Sequence, residues 1–81
     1  MVSLINAPDD TSLRIVDILG GQGIRRRLIA LGFHKDDIIE LDSRSILHGP
    51  VLVKNLSIDT SVALGRGVAK NIMVEVIDEK K

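Results

Sequence analysis

Ile24, Leu28 and Leu31 recur at i, i+4 and i+7, the spacing that gathers side chains on one helix face. Gly32 follows at once, where helices often end in a left-handed residue, and Phe33 sits where a Schellman cap returns an apolar contact to Leu28. The pattern therefore predicts one short, well-terminated helix. Around it the period changes to two. Ser12 to Leu19 reads as a strand whose alternation slips: Leu13 and Ile15 share one face, Val16 and Ile18 the other. A bulge or sharp bend reconciles the two phases. Gly20-Gly21-Gln22-Gly23 breaks that strand and leads into the helix.

Further strands are expected at Ile38 to Asp42, with Ile39 and Leu41 inward, at Val51 to Leu56, and at Ser61 to Leu64. A last strand runs from Ile72 to Asp78, with Ile72, Val74 and Val76 inward and Met73 and Glu75 outward. His34 to Asp37 is a polar turn, Ser43 to His48 a connection, Gly49-Pro50 a turn signal, and Gly65 to Asn71 a single helical turn. Residues 1–11 read as a flexible or loosely docked N-terminal arm, 12–78 as the domain, and 79–81 as a solvated tail. Five short strands in so small a chain argue a mainly β fold, a partly or fully closed antiparallel barrel with one helix after the first strand.

Composition narrows the function classes. The 81 residues include no cysteine, so no disulfide framework is available. Lys+Arg and Asp+Glu both number 11, without the basic excess of a phosphate-tracking protein. Phe33 is the only aromatic residue. That leaves no platform for stacking bases and no aromatic groove for proline-rich peptides; nucleic acid is not an expected partner. The first residues lack a basic n-region, and no apolar run is long enough to span a membrane, so a soluble cytoplasmic protein is expected.

Three features could carry function. Placed at about 100° per residue, Arg25, Arg26, Ile29 and Ala30 fall opposite the inner helix face, with Arg27 at its edge. An isoleucine rimmed by arginines suits a protein contact, unless Val2, Leu4 and Ile5 of the arm fold over Ile29. The run Arg25-Arg26-Arg27 near a Gly-rich turn could meet a phosphate, but no nucleotide-binding fingerprint is present and the glycines serve the turn. His34, Asp36 and Asp37 form the one cluster of metal-capable side chains, with His48 distant; adjacent carboxylates in a polar turn are usually solvated, so no metal site or cofactor is expected. No nucleophile stands in an evident constellation with a base, so no catalytic residue is assigned and the chain is not read as an enzyme.

Arg27-Leu28, Leu31-Gly32-Phe33, Gly49-Pro50-Val51, Val62-Ala63-Leu64-Gly65-Arg66 and Ile72 to Val76, in this order and spacing, resemble the FeoA family. The resemblance implies an SH3-like barrel, similar to the C-terminal domain of iron-dependent repressors of the diphtheria-toxin-repressor type. It also implies a small cytoplasmic accessory of ferrous iron uptake, acting on the cytosolic G-protein part of the FeoB transporter and reaching the membrane only through that partner. The alternative it carries is a stand-alone metal- or ligand-sensing module. The family usually has a Gly near Asp36, where this chain has Lys35-Asp36-Asp37. Homo-oligomerisation through an exposed edge, such as the last strand, is also open to a barrel of this size.

Overall fold

Among the described residues, alternation of apolar and polar positions builds six strands, all paired antiparallel in one sheet, the strands lying side by side in the order first, sixth, second, third, fourth, fifth along the chain. The computed structural model describes residues 1–42 and 49–77. The strands are β1 (Val2–Ser3), β2 (Ser12–Ile18), β3 (Ile38–Leu41), β4 (Val51–Asn55), β5 (Thr60–Leu64) and β6 (Ile72–Val76). Helix α1 (Gly21–Ala30) follows β2, and α2 (Arg66–Ala69) is a single turn before β6. The expected Ser43 to His48 connection, His48 itself and the 79–81 tail lie outside the described residues.

All five expected strands form. The phase slip in β2 is a bulge: Ile15 pairs with Val74, yet Asp17 pairs with Met73, so Val16 is an extra residue. Leu13, Ile15 and Ile18 thereby all face the core, with Ile39, Leu41, Val51, Val53, Leu64, Ile72, Val74 and Phe33. Val76, expected inward, is 54% exposed because the alternation of β6 outlasts the core at its end.

Two expectations are corrected at the ends of the sheet. The first residues are not a loose arm. Val2 and Ser3 pair with Val74 and Met73, a 3₁₀ turn follows at Leu4–Asn6, and Leu4 is fully buried. A two-residue strand has no period to read, so the pattern missed it. Of the partly or fully closed barrel expected, full closure does not occur: among the described residues, β1 and β5 do not pair and the sheet keeps two edges. The last strand is no edge, since it lies between β1 and β2.

Candidate functional site

The end of α1 is set by backbone chemistry. Gly32 takes φ 95°, its N–H donates to Ile29 O at 2.9 Å, and the Phe33 N–H donates to Leu28 O at 2.9 Å, the two bonds of a Schellman cap. Phe33 and Leu28 are both buried. The start differs from expectation. Gly21 to Gly23 belong to the helix, and the break is at Gly20, φ 93°. A Cβ at Gly20 would lie 2.7 Å from Ile24 Cδ1 and 3.0 Å from Asn71 Cγ, so this corner needs glycine for room as well as for conformation.

This placement fixes what the helix presents. Leu28 enters the core and Ile24 packs at its margin, but Leu31, expected on the inner face, is 40% exposed because the chain turns away at the cap. Ile29 is 51% exposed. The N-terminal residues that could have covered it are spent on β6 and α2 instead. Beside it, the three consecutive arginines diverge. Arg25 Nη2 lies 3.8 Å from Asp17 Oδ1, and Arg26 reaches back to Gln22 Oε1 at 3.5 Å. Arg27 turns toward a groove of about 320 Å³, lined with Leu31, Ala63, Leu64, Gly65 and Val68. They do not converge on one anion, and of the glycines expected to admit a phosphate Gly20 makes the turn while Gly21 and Gly23 fall within α1.

The metal-capable residues are likewise divided. Asp36 pairs with Arg14, which also holds Glu75 through two guanidinium nitrogens. The hydrogen bond and attraction of Glu75, followed by the bond to Asp36, raise the pKa of Arg14 beyond the ordinary arginine value. Asp37 Oδ2 accepts from the His34 backbone N–H at 2.9 Å and from Asn55 Nδ2 at 3.0 Å, with His34 Nδ1 3.6 Å away. His34 and Asp37 are therefore neighbours while Asp36 points elsewhere. Among the described residues no three His, Asp or Glu side chains form a metal-capable group. Asp36 itself has φ 72°, a left-handed conformation that explains the glycine usual there in the resembled family and that aspartate tolerates.

Two features escaped the sequence reading. Asn55 is 1% exposed and donates to Gly32 O and Asp37 while accepting from the Ser57 N–H. It ties the cap of α1 to the following turn. Its signal was available, since Asn55 continues the inward series Val51, Val53 at period two. The groove had no such signal, because α1, β5 and α2 meet there only in three dimensions.

Comparison with known proteins agrees with this architecture. The family model described as FeoA domain matches residues 2–76. No curated protein matches the chain. Among solved structures, an iron uptake regulatory protein (FeoA) is similar with 26% identity and a TM-score of 0.79, over 94% of this chain and 96% of that one. A zinc-complexed FeoA from Stenotrophomonas maltophilia, described as a prokaryotic SH3 domain protein, matches with 26% identity and a TM-score of 0.73, covering 93% of this chain and 91% of its own. A manganese-dependent transcriptional repressor shares the fold, with 20% identity and a TM-score of 0.81 over 93% of this chain and 36% of the repressor. No helix among the described residues is long and apolar enough to cross a membrane. With an SH3-like sheet, a Schellman-capped helix between its second and third strands and a family match over nearly its whole length, the chain belongs to the FeoA family, which is associated with ferrous iron transport.

Proposed function

We propose that this protein is a non-enzymatic accessory of ferrous iron uptake that docks on the cytosolic G-protein part of a FeoB-type transporter. The contact is made by the outer face of α1, with Ile29 as apolar anchor and Arg25 and Arg26 at its rim. The observation that carries the reading is the 51% exposure of Ile29 between exposed arginines on a Schellman-capped helix. An exposed apolar side chain beside guanidinium groups offers burial at the centre and carboxylate pairing around it. Family membership supports the transport role, and the S. maltophilia relative is put forward as a ferrous iron transport activating factor. On this reading the protein works in the cytoplasm and meets the membrane only through its partner.

Calorimetric titration with the soluble G-protein domain of FeoB tests it. Ile29→Asp places a charge at the contact centre without touching the core. It is expected to weaken binding by at least about tenfold while the thermal unfolding temperature stays near that of the parent. A folded Ile29→Asp protein that binds as tightly as the parent overturns the assignment.

A further inference from the structure

We propose that two copies of this chain pair edge to edge through β5, related by a two-fold axis at Val62, with the β4–β5 hairpin of each copy reaching the groove of the other. The edge is free among the described residues: β5 pairs with β4 on one side, and no described strand lies on its other side. Natural edges are guarded by lysine, proline, bulges or shortness. β1, the opposite edge, has two residues and is blunt by length. β5 has five, Thr60-Ser61-Val62-Ala63-Leu64, with no charge, no proline and a regular register.

The hydrogen-bond phase of the edge is readable. The carbonyl of Leu52 accepts from the Asp42 N–H on the β3 side, so the backbone groups of Leu52 point to β3. Those of Val51, Val53 and Asn55 point to β5, and their partners Leu64, Val62 and Thr60 point back to β4. Ser61 and Ala63 are left with outward N–H and C=O groups, and both residues are exposed. Two outward residues flanking a central Val62 are self-complementary. A two-fold axis at Val62 sets Ser61 against Ala63 of the second copy, and Ala63 against its Ser61. All four outward N–H groups and all four C=O groups are then satisfied.

The same register chooses what meets the groove. The ladder ends with the strand, since Ile58 and Asp59 lie in the β4–β5 turn and Arg66 opens α2, but the pairing brings that turn of the second copy past Leu64 and beside Gly65. Gly65 lines the groove with Arg27, Leu31, Leu64 and Val68. Ile58 is half exposed. Arg27 and Asp59 have no ion-pair partner among the described residues. The symmetric pairing brings an apolar side chain toward a groove walled in part by Leu31, Leu64 and Val68, and a carboxylate toward a guanidinium, twice. The outer helix face carrying Ile29 is not used, so this contact does not depend on the transporter reading.

A strand edge and two shallow grooves bury less than the 1,200 Å² or so of a standard interface, so the association is weak, with Kd on the order of 0.1 mM. Sedimentation velocity of the intact chain from about 10 μM to about 1 mM spans that range. A monomer–dimer equilibrium is expected. Ala63→Pro deletes an outward donor without removing a β4–β5 ladder bond, and Ser61→Lys places a guarding charge at the edge. Each is expected to weaken the dimer at least about tenfold with folding intact by circular dichroism, and Ser61→Lys decides if the proline variant does not fold. Arg27→Ala and Asp59→Asn are each expected to weaken it, and the double variant no further than the stronger single one. A chain monomeric throughout, one that grows beyond dimers, or a dimer indifferent to folded edge variants overturns the proposal.

Discussion

Asn55, itself almost fully buried, spends both ends of its amide on Gly32 O, the Asp37 carboxylate and the Ser57 N–H. Removing it strands several partners at once, and each buried group left unmatched costs far more than an average hydrogen bond gains. Asn55→Leu keeps the branched shape and the number of heavy atoms and deletes the bonds. It is expected to lower unfolding free energy in urea by roughly 1–3 kcal/mol, with the m-value unchanged because the fold still opens as one unit. Arg14 holds Asp36 and Glu75 at the surface instead, where water and salt screen the pairs. Raised rather than depressed, its pKa keeps the guanidinium charged at neutral pH; its contribution is lost only as a strongly alkaline pH passes the folded value.

Helix α1 is the element on which the proposed transporter contact depends, and its C-terminus rests on one backbone conformation. Gly32→Ala would place a Cβ 2.8 Å from Ile58 Cδ1 at φ 95°. The isoleucine tip is the flexible end of a side chain and can swing aside, so the left-handed backbone dominates the cost, about 1–2 kcal/mol. Thermal unfolding should show this loss, and amide exchange should show faster fraying of the last turn of α1 than of β2. That end of the helix was legible in the sequence because Gly32 and Phe33 carry its whole chemistry locally. The bulge in β2 was legible for the same reason, since a phase slip between Ile15 and Ile18 has no other regular solution. β1 was not, because its two residues owe their strand conformation to β6, some seventy positions away. Of the candidate site, the divergence of Arg25, Ile29 and Arg26 from the core followed from helical geometry. What the sequence could not hold was the fate of Leu31, which depends on where the capped chain turns, and the separation of Asp36 from His34 and Asp37, which depends on Arg14 arriving from β2.

At the scale of the whole molecule, the opening residues belong to the core. The turn at Leu4–Asn6 packs on α2 and β6, and Leu4 is fully buried. Leu4→Ala is expected to cost about 2–5 kcal/mol through lost burial and the cavity left behind. Against a total stability of roughly 4–12 kcal/mol for a chain of this length, that is a large fraction, and urea unfolding should place its midpoint well below the parent's. The surface face at Ile29 should not notice the change until the sheet opens. The strand order also carries a history of assembly. β2 through β5 pair each with its sequence neighbour, whereas β6 must slide between β1 and β2. A chain leaving the ribosome can form the β2–β3–β4–β5 meander early, but it holds Ile15 and β1 without their partner strand until β6 has emerged. The long loop closed by that last insertion is expected to make it the slow step of folding, and until it happens the nascent protein leaves the β6 side of β2 open to whatever chaperone stands nearest.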